Sequence, residues 1–219
     1  MTTTLSILAL GLLLGMKHAT EADHLAAVAT LAARQASLAQ TLRQGAAWGV
    51  GHTLTLLLFG GVVFVLGHSI SPSTEQALET AVGVMLVLLG ADLLRRVLVE
   101  RRSGTQAVPV HAHRTTWPLR ALAVGAMHGL AGSAALVMLS LQGLPSVSLG
   151  LGYIAVFGIG SVLGMGALSV LIAMPLRLSA TPWAGLHRSL SALVGAFSIG
   201  LGLHVVIEIG YLRALVLGA

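Results

Sequence analysis

The chain of 219 residues contains no cysteine, one lysine and seven acidic residues. Without cysteine there can be no disulfide, no thiolate ligand and no thiol-disulfide electron carrier. Charge is almost as scarce, at 9% of residues against 56% hydrophobic, and mean hydropathy is +0.92, which does not suit a surface facing water. A GxxxxGK[ST] phosphate loop is missing, so no ATP engine is expected, and Lys17 lies within an apolar run. No basic segment precedes that run at Met1 to Thr4, so a cleavable signal peptide is not expected. The short alternating segments of a membrane barrel are missing too. Instead the apolar runs are continuous over roughly 20 residues, the length that crosses the hydrocarbon core as a helix.

What is present is an all-α integral membrane protein rich in small residues. Its 27 glycines suit helices packed backbone to backbone in lipid. The runs and their breaks predict six transmembrane helices, near residues 5–31, 45–67, 76–98, 119–141, 149–174 and 189–210. Between the third and fourth lies the one long polar connection, 99–118, with Gly104, Pro109 and Pro118. Basic residues then set an orientation, because arginine and lysine are retained on the cytoplasmic side. Arg34, Arg43, Arg95, Arg96, Arg101, Arg102, Arg114, Arg120, Arg177 and Arg188 follow the odd-numbered helices, whereas the opposite face has Arg213. Both termini are therefore expected outside, in a multi-pass protein of the cytoplasmic membrane. The net charge of +5 is explained by that topology and by anionic headgroups, with no need of nucleic acid.

The two halves of the chain also resemble each other. GMKH at 15–18 matches GAMH at 125–128, GVGH at 49–52 matches GIGS at 158–161, and Gly83 and Gly90 match Gly195 and Gly202, at offsets of 109 to 112. Three helices is an odd number, so a second copy enters the membrane from the opposite side. The expected organisation is thus two inverted three-helix repeats, residues 1–98 and 119–219, joined by a cytoplasmic basic and histidine-containing loop, 99–118.

Against this apolar background stands GMKHATEADHLAAV, Gly15 to Val28, with five ionisable side chains between Lys17 and His24. Such groups cost about 2.5 to 3.5 kcal/mol each at a helix centre, so a cluster implies mutual pairing or a polar cavity. At 1.5 Å per residue, His18 lies roughly 20 Å below the outer face, while His52 and His128 lie about 10 and 14 Å from the inner one. Three histidines thus converge in depth. Imidazole with carboxylate is a ligand set for Ni, Co, Zn or Fe, and the lack of thiolates disfavours Cu(I). On a straight helix, His18, Glu21 and His24 share a face at about 0°, 300° and 240°, and Asp23 points away at about 140°. Either Asp23 serves another role or the helix unwinds between His18 and Asp23, as broken helices do at transporter sites; the unwound form is the expectation.

His18 followed after four residues by Asp23-His24 resembles the HX4DH signature of the nickel/cobalt transporter family. Gly51-His52-Thr53 is similar to that family's second motif, and GAMHGLAGSAAL, Gly125 to Leu136, to a stretch of its shorter, urease-accessory-type nickel permeases. The resemblance covers roughly a fifth of the chain. It implies a permease for Ni2+ or Co2+, and the expected function is a secondary transporter, not an enzyme, that moves the ion by uptake. His18, Asp23, His24 and His52 match its metal-handling positions. His128, and more weakly Glu21, join them from the reading of the residues. The chain departs from the longer family members in having six helices rather than eight, and Glu21 where they typically have Asp.

Other polar residues have plainer readings. Asp92 is expected to pair with Arg95 and Arg96 near the interface. His204 and Glu208, four apart, form either a second polar step or an interfacial hydrogen bond, and His111 and His113 are loop residues that could collect metal. The competing functions are divalent-metal efflux, export of an organic cation or amino acid, and a membrane di-iron hydroxylase, for which the HExxH and HxxHH boxes are missing. The expected partners are a divalent metal ion as substrate and the lipid bilayer, with room for a homo-oligomer or a separate transport partner. No catalytic cofactor is expected.

Overall fold

The computed structural model describes residues 2–33, 35, 37–66, 71–103, 118–131, 146–178 and 184–209, and every regular element among them is helical. In chain order these are α1 (Thr2–His18), α2 (Ala22–Ala32), α3 (Leu38–Thr55), a five-residue π-helical turn (Leu56–Gly60), α4 (Gly61–Leu66), α5 (Pro72–Ser103), α6 (Leu119–Leu130), α7 (Val147–Leu178) and α8 (Ala184–Ile209). Residues 38–66, 72–102, 147–176 and 185–209 are each long and apolar enough to cross a membrane. The pair α1 and α2, bent by 59° at a short break, makes a fifth span when taken as one. Of the expected fourth span, 119–141, the described part is the 12-residue helix α6 and one further residue.

Helix starts follow local chemistry. Ser37 precedes α3, and its hydroxyl accepts a hydrogen bond from the Gln40 amide at 3.1 Å. Ser146 caps α7 in the same way through Leu149, at 3.3 Å. Ser71 and Pro72 open α5, the serine accepting from the Thr74 amide at 3.2 Å and the proline filling the first helical position, where no amide donor is needed. The cap at Ser37 starts α3 seven residues before the expected 45, so His52 lies at the middle of the span 38–66. Helix α5 continues to Ser103, making the first five residues of the expected loop 99–118 helical; the loop from 104 to 117, with His111 and His113, lies outside the described residues. Helix α7 passes the expected end at 174 and runs through Pro175 to Leu178.

Packing is by glycine. Helix α1 lies against α7, α3 against both α6 and α7, and α5 against α8, with α2 wedged beside α5, α7 and α8. A Cβ added at Gly15 would collide with the Phe157 carbonyl, and one at Gly125 with the Trp48 carbonyl. Gly160 meets the Leu12 carbonyl and Gly51 the Leu122 carbonyl, while Gly83 faces Gly202 and Gly90 faces Gly195. Each contact therefore has a counterpart displaced by 109 to 112 residues in both partners. Such approach leaves room for hydroxyls to reach across: Ser198 donates to the Leu86 carbonyl at 2.9 Å and Thr53 to the Gly158 carbonyl at 3.1 Å. The outside of the bundle carries Leu58, Leu88, Leu163, Leu171 and Leu193, all exposed, an apolar surface suited to lipid.

Candidate metal centre

The site begins at the break in the first span. Helix α1 ends at His18, and the next amides turn back tightly: Thr20 N–H bonds to the Lys17 carbonyl at 2.9 Å and Glu21 N–H to the His18 carbonyl at 3.0 Å. Glu21 is extended, with φ −65° and ψ 151°, and α2 restarts at Ala22 with Asp23 in its first turn. A carboxylate is favourable there, beside the free amides at the positive end of a helix. The break also re-aims Asp23, which on a continuous helix would point away from His18.

The consequence is a buried cluster drawn from four helices. His18 ends α1, His24 follows Asp23 on α2, His52 is central in α3, and His128 lies in the last turn of α6; all four are buried. Ring centroids are 4.4 Å apart for His18 and His24, 5.2 Å for His18 and His52, 5.5 Å for His24 and His52, and 4.8 Å for His24 and His128. Asp23 joins them through both oxygens. Its Oδ1 lies 2.9 Å from His24 Nδ1 and its Oδ2 3.6 Å from His128 Nε2.

Aromatic rings hold the imidazoles in place. Trp48 stacks on His24 at 5.6 Å with planes 5° apart and lies 5.3 Å from His128, while Phe157 lies 5.5 Å from His18. Both were missed in the sequence. The available signal was the repeat, since Trp48 and Phe157 are 109 residues apart and His18 and His128 are 110 apart.

Six ring nitrogens of the four histidines are buried without a hydrogen-bond partner: both of His18, both of His52, Nε2 of His24 and Nε2 of His128. Glu21 Oε1 comes within 2.9 Å of His18 Nδ1, but out of line for a hydrogen bond. Buried polar atoms are normally satisfied, and this density of ring nitrogens without a hydrogen bond could hold a divalent cation through their lone pairs. Two groups have ligand atoms all within 4.8 Å of one another: His18, His24 and His52, and Asp23, His24 and His128. Glu21 belongs to neither. Among the described residues Lys17 makes no ion pair with Glu21, which turns toward His18 instead.

The remaining polar residues lie elsewhere. Asp92 pairs with Arg96 at 3.7 Å and, across to α6, with Arg120 at 3.2 Å. The Arg96 pairing was expected and the Arg120 one was not, while the expected pairing with Arg95 is not among the ion pairs of the described residues. His204 and Glu208 pair at 2.9 Å on the exposed face of α8.

Over 217 residues the chain is 35% identical to the urease accessory protein UreH of Bacillus sp. (strain TB-90), an alignment that covers 96% of this chain and 95% of that protein. It is 26% identical to the chloroplast proteins FOR GROWTH AND FERTILITY 1 and 2 of Arabidopsis thaliana, over 212 and 194 residues. Those two alignments cover 90% and 85% of this chain but 58% and 52% of the plant proteins. No family model matches the chain, and no solved structure does.

Proposed function

The chain belongs to the family of the urease accessory protein UreH, and from that membership and the buried cluster we propose that it is a secondary transporter carrying Ni2+, with Co2+ as the alternative ion, inward across the cytoplasmic membrane. The observation that carries the proposal is the set of six buried imidazole nitrogens without a hydrogen bond, gathered beside the Asp23 carboxylate at a broken span. Neutral imidazole binds borderline divalent ions, and Asp23 offsets one of the two positive charges within an apolar surround. The other residues of the centre orient it: Trp48 and Phe157 fix ring planes, and the Ala19 to Glu21 break turns Asp23 inward.

In this reading the two glycine-matched halves are inverted repeats that rock about the metal, and both termini face outward. Support for the repeat comes from the paired contacts, Gly15 on Phe157 with Gly125 on Trp48, and Gly160 on Leu12 with Gly51 on Leu122. The test is accumulation of radioactive Ni2+ and Co2+ in cells expressing the wild type, His18→Ala or His52→Ala. The wild type is expected to accumulate metal above empty cells and the two variants to match empty cells. Equal accumulation in all four would end the uptake reading, and lower accumulation in wild-type cells than in empty ones would mean export.

A further inference from the structure

The two ligand groups share one residue, His24. Its Nδ1 lies against Asp23 at 2.9 Å, whereas its Nε2 is buried and unpartnered. We propose that the cluster provides two overlapping positions for the ion, one among His18, His24 and His52 and one among Asp23, His24 and His128, and that the ion passes from one to the other with His24 as the ligand common to both. This rests on the metal-transporter reading and adds a path to it.

Three further observations point the same way. His18 and His128 stand at matching places in the two halves, each at the end of its helix and each facing an aromatic ring, Phe157 or Trp48, at matching places as well. Each position takes one of these paired histidines, so moving the ion exchanges one half's ligand for the other's. His18 also lies across the break from His24, so a change in the 59° bend alters the first position while Asp23 and His24, neighbours on α2, keep the second together. Finally, the donor sets differ, three imidazoles against two imidazoles and a carboxylate. Two divalent ions on one ring would repel strongly, so the positions are occupied one at a time.

That difference makes the positions separable by Ni2+ binding and X-ray absorption on purified protein. Wild type is expected to bind one Ni2+ per chain. Asp23→Asn and His128→Gln should keep one Ni2+ with three imidazole donors, and His52→Gln should keep one with two imidazoles and oxygen. Each of these dissociation constants is expected within about tenfold of wild type, while none of the three variants supports cellular accumulation, and His24→Gln weakens binding by more than about a hundredfold. Asp23→Asn preserves shape, so it remains informative where a histidine replacement fails to give monodisperse protein. If His52→Gln and Asp23→Asn show the same donor set, or both lose binding as completely as His24→Gln, there is a single position and the inference falls while the transporter reading stands. Absence of Ni2+ binding by the wild type overturns both.

Discussion

Asp23 and Glu21 are two carboxylates two residues apart whose surroundings assign them different weights. Asp23 touches His24 and His128 and belongs to a ligand group, whereas Glu21 is half exposed and approaches His18 alone, out of line. Neutralising them should therefore have unequal effects. Asp23→Asn is expected to lower Ni2+ accumulation by at least about tenfold, and Glu21→Gln to leave it within about twofold of wild type, at equal amounts of protein in the membrane. A comparable loss in both would place Glu21 among the ligands and redraw the site. The stacked Trp48 is the other residue whose contribution is specific: it buries against His24 with nearly parallel planes and reaches His128 as well, so it sets the orientation of two imidazoles at once.

Glycine decides the packing of the elements, and the two halves should respond alike. Gly15 and Gly125 each face a carbonyl so closely that no side chain fits without parting the helices. Gly15→Leu and Gly125→Leu are both expected to destabilise the bundle by more than about 3 kcal/mol, beyond ordinary overpacking because backbone is the obstacle, and to yield little monodisperse protein. The control is Gly200→Leu on α8, where nothing lies within 4 Å of an added Cβ, and which should be recovered as wild type by gel filtration. Much of this level was legible in the sequence: the break between His18 and Asp23 was the favoured of two readings of the side-chain angles, because a straight helix points Asp23 away from the face of His18 and His24. Helix ends were less so. The start of α3 was hidden because Gln40, Arg43 and Gln44 read as loop although Ser37 caps a helix through them. The end of α7 was hidden because Pro175 reads as a stop; three residues from the terminus it removes little of the helix, and His187 meets the nearby Leu176 carbonyl at 2.8 Å. The aromatic partners of the histidines left only the repeat offset as a signal, since Phe157 meets His18 through the contact of α1 with α7.

For the whole molecule, matched caps at Ser37 and Ser146, matched glycine contacts and matched histidine and aromatic pairs surround one asymmetric centre, to which the first half gives Asp23, His24 and His52. The chain is suited to mapping its orientation, because it has no cysteine to remove. A thiol introduced by Thr4→Cys is expected to react with an impermeant maleimide in intact cells, and one introduced by Glu100→Cys only after the membrane is opened. The reverse pattern would invert the orientation drawn from the arginines, and with it the side from which the metal approaches the cluster. Whether the chain moves metal by itself is open to a direct measurement: purified protein reconstituted into liposomes that enclose a Ni2+-sensitive dye, with Ni2+ added outside. A signal that rises in wild-type liposomes and stays at the protein-free level with His24→Ala is the expected result. Wild-type liposomes no more permeable to Ni2+ than protein-free ones would contradict it.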